Sequence, residues 1–238
     1  MVKIEDSLTN KGSNNRLFIQ TKRLFWNFKR AVWKLLNSRK TPNHSTPYYT
    51  LAEFGQKGRC SQDFSTRFAG LEPLCKDSIC QGASLLDLGC AEGLISKEFS
   101  NHGVRLIHGF DIQETSIHYA NKIFDNLDGE FIFRQGDLSD WEKFSQKNYD
   151  LLCPAYDIVL FLGVYHQIHW YSGKEAADRA LKGALSFCKT YFAVRTDVKM
   201  LPDEIFSELN FVEIEKNHTT SSDKTAQFGP LRLFQRTV

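Results

Sequence analysis

No stretch of this 238-residue chain runs to ~18 consecutive apolar residues, so no segment is expected to cross a bilayer as a helix. The opening MVKIEDSLTN lacks the apolar core of a signal peptide. The sequons at Asn43 and Asn217 are accordingly expected to be irrelevant. No two of the six cysteines (Cys60, Cys75, Cys80, Cys90, Cys153, Cys188) form a Cys-x-x-Cys pair, and no histidine cluster accompanies them at zinc-like spacing. A metal site is therefore not expected, and reduced thiols in a cytoplasmic protein are. Acids are nearly missing from residues 1–45, which hold Glu5 and Asp6 against ten Lys/Arg, a balance of +8. The whole chain is +2, which leaves −6 for the remainder. A basic arm thus precedes a mildly acidic body, an asymmetry that points to an anionic partner for the arm. Internal repeats are absent too, which removes the solenoid architectures.

The arm itself carries a pattern. Phe18, Phe25, Phe28, Val32 and Leu35 recur at helical spacing across residues 16–37, with Lys22, Arg23, Lys29, Arg30 and Lys34 on the other faces. Trp26 and Trp33 add to the aromatic content. Such a helix either packs with its basic side solvated or lies on an anionic membrane surface. RNA is a further partner of suitable charge. The turn-rich SRKTPNHSTP, with Pro42 and Pro47, ends the helix. The expected division is a basic arm over 1–45, a covering segment over 46–83 and a main domain over 84–238.

From residue 84 onward, apolar strands alternate with amphipathic helices. The strand candidates are SLLDLG, VRLIHGFD, EFIFRQGD, YDIVLFLGV and TYFAVRTD, followed late by NFVEIEKN and PLRLFQRTV. GLISKEFSN, ETSIHYANKIFDNL, DWEKFSQ, SGKEAADRALKGALSF and DEIFSEL read as helices, as does SQDFSTRFAGL upstream. A β-α-β series with near-continuous apolar strands implies an α/β fold, a parallel sheet covered by helices on both faces. Ligands in such sheets bind beyond the carboxyl ends of the strands.

The first strand runs into Gly89-Cys90-Ala91-Glu92-Gly93. Small residues there let backbone N–H groups approach a ligand closely. Position 94 is leucine, where a dinucleotide fingerprint needs its third glycine, and the Gly-Lys-Ser/Thr of a P-loop is absent. The pattern D-x-G-x-A-x-G instead resembles motif I of the class I S-adenosylmethionine (SAM)-dependent methyltransferases, with Ala91 in place of the commonest middle glycine. The resemblance spans roughly residues 84–238. It implies a Rossmann-like, seven-stranded, mostly parallel sheet with a reversed C-terminal strand, and SAM as cofactor.

Residue by residue, the resemblance assigns Asp87, Gly89 and Gly93 to the methionine end of the cofactor, with Ala91 also among the cofactor-binding residues. Asp111, about 20 residues on, is placed to accept the ribose hydroxyls, with Ile112 against adenine. Asp111 could equally cap the following helix. Asp137 matches the acid near the adenine amino group, and Leu138 would lie against the ring. Arg67, on an upstream segment that closes over SAM in related enzymes, suits the cofactor carboxylate. LGVYHQIH stands where motif IV stands, at the mouth of the transfer cleft, which makes His166 and His169 the candidate general bases.

Motif IV also excludes chemistry. The Asn/Asp-Pro-Pro-Tyr of amino-methylating enzymes and the Pro-Cys of cytosine C5 enzymes are both absent, since Cys153-Pro154 has the reverse order and precedes the strand. Methylation of DNA bases is not expected. DLGCAEG, FDIQETSI and LGVYHQIH are similar to segments of small bacterial methyltransferase domains of surface-polysaccharide pathways. The acceptor this implies is a hydroxyl of a small molecule or glycan. RNA methylation, or SAM binding without catalysis, are the alternatives. The expected location is cytoplasmic, with helix 16–37 suited to the inner membrane face.

Overall fold

The computed structural model describes residues 44–60, 63–197, 199–217 and 229–237, all within one compact unit spanning residues 42–238. The helix expected over 16–37 lies outside the described residues. Five parallel strands build the first part of the sheet: β1 (Ser84–Leu88), β2 (Leu106–Asp111), β3 (Glu130–Gln135), β4 (Tyr156–Leu162) and β5 (Cys188–Arg195). Two later strands, β6 (Phe211–Asn217) and β7 (Leu231–Arg236), complete it in the order β3-β2-β1-β4-β5-β7-β6. β7 runs antiparallel to both of its neighbours, so the reversed strand lies between β5 and β6.

The order reverses direction between β1 and β4. There the chain leaves β1 toward β2 and β3, then crosses back to β4, and the crevice above the strand ends is the natural ligand site. Central strands are buried almost throughout, as their apolar runs require, whereas the edge strand β3 exposes Glu130, Arg134 and Gln135.

Helices cover both faces. Leu85, Ile107, Ile158 and Leu160 point to one side, against α3 (Leu94–Asn101) and α4 (Glu114–Phe124). Leu86, Phe110, Val159 and Phe161 point to the other, against α5 (Trp141–Lys147), α6 (Val164–Ser172) and α7 (Lys174–Ser186). This is the period-2 alternation of a sheet clothed on both sides. Upstream, α1 (Phe64–Phe68), α2 (Asp77–Cys80) and the turn between them join the first core through Phe68, Leu71, Leu74 and Cys80, and α8 (Asp203–Glu208) joins the second through Ile205 and Phe206. The helix expected over SQDFSTRFAGL is the short α1, capped by the Asp63 carboxylate, which accepts from Thr66 N at 2.8 Å.

One element differs in kind from its sequence reading. VYHQIH continues as a nine-residue helix, α6, entered through Gly163 in the left-handed conformation. Its apolar content hides the helical period, because Tyr165, His166 and Ile168 are all buried. No helix among the described residues is long and apolar enough to cross a membrane.

Candidate active site

The loop after β1 is a cradle of left-handed residues, with φ of 88° at Gly89, 47° at Ala91 and 72° at Gly93. A Cβ on Gly89 would stand 2.3 Å from Val164 Cγ2, so close packing and backbone conformation both demand glycine there. Ala91 holds the same hand at a cost of ~1–2 kcal/mol. Asp111 compensates: its Oδ2 accepts from Ala91 N at 3.0 Å, while Oδ1 accepts from Gln113 N at 2.8 Å. The cap position of α4 is therefore Gln113, not Asp111. A carboxylate has about four acceptor sites, so two backbone donors leave room for a ligand's hydroxyls.

Asp87 points beneath the loop, fully buried, and accepts from Ser96 Oγ at 2.6 Å. Burial pushes its carboxyl up to about 7, and nearby Asp111 pushes the same way against the Ser96 bond. Asp111 is raised as well, by burial first, with the Gln113 and Ala91 N–H groups opposing. At the far side, Ile112, Gly136 and Asp137 share the lining of a half-open cavity of about 400 Å³ with Lys143 of α5 and Asn148, which caps that helix. Asp137 is exposed and accepts from Ser139 N at 2.9 Å, while Leu138 is buried in the core beside Phe144.

Upstream residues close the other side. Arg67 is buried, and its guanidinium lies 5.3 Å from the centre of the Tyr48 ring. Arg59 lies over the same ring at 5.0 Å. A Cβ built on Gly163 would sit 3.6 Å from His166 Cε1 and 4.0 Å from Arg67 Nη2, so both side chains overhang the end of β4. Burial, then the Arg67 charge, lowers the His166 pKa to about 4, with Asp197 pulling the other way. The imidazole is thus neutral at ordinary pH. Its ring meets Trp170 edge-on at 4.8 Å. His169 stacks instead on Tyr165, whose hydroxyl donates to Asp178 of α7 at 2.6 Å. The two histidines therefore have different surroundings despite their spacing of three.

Three contributors escaped the sequence reading. Glu92 is completely buried between Ala91 and Gly93. Gln113 accepts from His44 N at 2.8 Å through its side-chain oxygen. Arg195, at the end of β5, donates from Nη1 to Arg67 O at 2.6 Å and from Nη2 to Ala69 O at 2.9 Å, which fixes α1 over the sheet. Burial and the neighbouring Arg67 lower its pKa to about 10. Long-range bonds of this kind leave no local periodicity; a polar residue inside an apolar strand end was the only available signal for Arg195. Among the described residues, no group of three or more His, Cys, Asp or Glu could hold a metal ion.

The family model for methyltransferase domains matches residues 85–182. Among solved structures, magnesium protoporphyrin IX methyltransferase (ChlM) from Synechocystis PCC 6803 with bound SAM is similar at a TM-score of 0.56 and 18% identity, covering 73% of this chain and 79% of that one. The bifunctional kinase-methyltransferase WbdD gives 0.57 and 20%, covering 83% of this chain but 44% of that one. A putative SAM-dependent methyltransferase from Streptococcus mutans gives 0.55 and 13%, covering 71% and 48%. At these identities the likeness is one of fold. No curated protein matches.

Proposed function

We propose that this chain, whose residues 85–182 match the family model for methyltransferase domains, binds SAM over the β1 loop and transfers its methyl group to a hydroxyl of a small molecule or glycan. The observation that carries the reading is convergence at the switch point. Asp87 and Asp111 stand at the ends of β1 and β2, and Arg67 and His166 overhang the end of β4. This donor and acceptor set fits the cofactor part by part. Asp111 offers acceptors for a vicinal diol, and Ile112 with Asp137 offers an apolar surface and an acceptor for adenine. Arg67 suits a carboxylate, and Asp87 and Asp111 make the loop favourable for a cation. SAM supplies a methyl group on a sulfonium, open to in-line attack. The protein's main task is then to hold the acceptor close and aligned. The hydroxyl acceptor rests on the sequence likeness to polysaccharide-pathway domains and on the histidine beside the cleft.

In this reading His166 takes the acceptor's proton. A base with pKa near 4 is weak, yet it is always in its accepting form at neutral pH. The hydroxyl proton becomes strongly acidic as the new C–O bond forms, so a weak base suffices late in the reaction. His169, stacked on Tyr165, serves packing.

Calorimetric titration with SAM tests the foundation: a single saturable site is expected, and a folded sample that shows none overturns the reading. Methyl transfer from labelled SAM into fractionated cell extract then locates the acceptor. With that fraction in hand, His166→Ala should lower transfer by about 10²–10³-fold and leave SAM affinity within about threefold. His169→Ala should keep most of the activity. Full turnover by His166→Ala would remove its role as a base.

A further inference from the structure

We infer that Glu92 is the positioning residue that pins the segment 44–60 across the cofactor loop; the inference rests on the SAM reading above. A glutamate in a short strand-to-helix loop ordinarily points to water, whereas Glu92 is completely buried. Both of its oxygens are engaged. Oε1 accepts from Tyr48 N at 2.6 Å and from Ser116 Oγ at 2.7 Å, and Oε2 accepts from Tyr49 N at 3.0 Å. The three donors come from two places in the chain, two adjacent amides 43 and 44 residues upstream and one hydroxyl on α4.

These bonds close a circuit. Asp111 holds Ala91 N and Gln113 N; the Gln113 side chain holds His44 N; Glu92, next to Ala91, holds Tyr48 and Tyr49. The loop after β1, the loop after β2 and the upstream segment are therefore tied together by hydrogen bonds. The Tyr48 ring sits against both Arg59 and Arg67, so the backbone anchored by Glu92 also sets the wall above the end of β4. A carboxylate is the group required here. Three donors need three acceptor sites on two oxygens, and a glutamine would offer one oxygen and turn an N–H₂ toward the other donor. Because Asp111 is the expected ribose ligand, cofactor occupancy at one end of the circuit is felt at Tyr48 and Tyr49 at the other.

The test is amide hydrogen exchange on the full chain, with calorimetric SAM titration alongside. In the wild type, saturating SAM should slow exchange at Tyr48 and Tyr49 at least fivefold; no change there overturns the inference without requiring any variant. Glu92→Gln should bind SAM about tenfold more weakly, exchange Tyr48 and Tyr49 at least tenfold faster, and lose the SAM-induced protection. Leu86 and Val159, in the central strands, should exchange as before. Ser116→Ala removes only the α4 donor and should leave the Tyr48 and Tyr49 amides within about twofold. Glu92→Gln with wild-type affinity and unchanged exchange refutes the positioning role. Faster exchange that includes Leu86 and Val159 equally refutes it, because it marks general destabilisation. Failure of the wild type to bind SAM instead removes the cofactor reading itself.

Discussion

Replacing Asp111 with alanine is expected to weaken SAM binding by about two to three powers of ten, the largest effect of any single substitution at this site. Two losses combine. The ribose hydroxyls lose an ionised acceptor, and hydrogen bonds to charged groups contribute about 1.5–3 kcal/mol each. The loop also loses the acceptor that holds Ala91 N in its left-handed turn, so the cradle is no longer preorganised. A combined loss of about 3–4 kcal/mol corresponds to that fold-change. Asp111→Asn separates the two terms. Its single carbonyl oxygen can keep either the Ala91 or the Gln113 amide and turns a donor toward the other. An intermediate loss of about tenfold to a hundredfold is expected from calorimetry. Wild-type affinity in Asp111→Ala would mean that the carboxylate serves the loop alone.

The same residue shows how far sequence reasoning reached. Asp111 was visible because it ends an apolar strand at a set distance from a run of small residues, and both features are local. Strand positions followed from apolar runs, and all seven are present within two or three residues of expectation. The helices flanking them followed from amphipathic spacing. What stayed hidden was either apolar on all sides or held by distant partners. α6 belongs to the first kind, since only Gln167 and Ser172 of its nine residues are exposed, too few to mark a polar stripe. Glu92 and Gln113 belong to the second, since their backbone partners lie 43 to 69 residues upstream and no spacing rule connects them. The two histidines of VYHQIH illustrate both limits. Sequence put them together as candidates, and only side-chain packing separates His166, beside Arg67, from His169, on Tyr165.

Segregated polarity also explains why the site lies where it does. The cores on the two faces of the sheet are closed by aliphatic and aromatic side chains, whereas the strand ends gather Asp87, Asp111 and Arg195. Buried polar groups are costly without partners, and each of these three has one or more in hydrogen-bond range. The resulting shell is cross-linked by hydrogen bonds where the cofactor's ends would be fixed and open on the side of Asp137, where the cavity meets solvent.

A second large effect concerns pH. The Asp87 carboxyl stands at about 7 in the folded protein, against 3.8 as its ordinary value, with burial the main cause. Between those values the folded state keeps a proton that the unfolded chain releases, so stability falls as pH rises through this window and levels off above about 7. In full the shift corresponds to about 4 kcal/mol. His166 works in the opposite sense. Its folded value of about 4 lies below the ordinary 6.5, so the stability of its neutral form is lost as pH falls from 6.5 toward 4. The two slopes oppose each other over much of the range, and the wild-type profile alone would hide both. Comparison with Asp87→Asn exposes the carboxyl. Relative to that variant, the wild type should lose roughly 2–3 kcal/mol of unfolding free energy between pH 5 and pH 7, read from urea titrations. A flat difference curve would place the Asp87 proton elsewhere. A cationic ligand beside Asp87 favours the ionised form, so SAM binding at pH 7 should release up to about half a proton. That release appears in calorimetry as a dependence of the binding heat on the ionisation enthalpy of the buffer, and it should vanish in Asp87→Asn. Persistence of the dependence in the variant would assign the proton to another group.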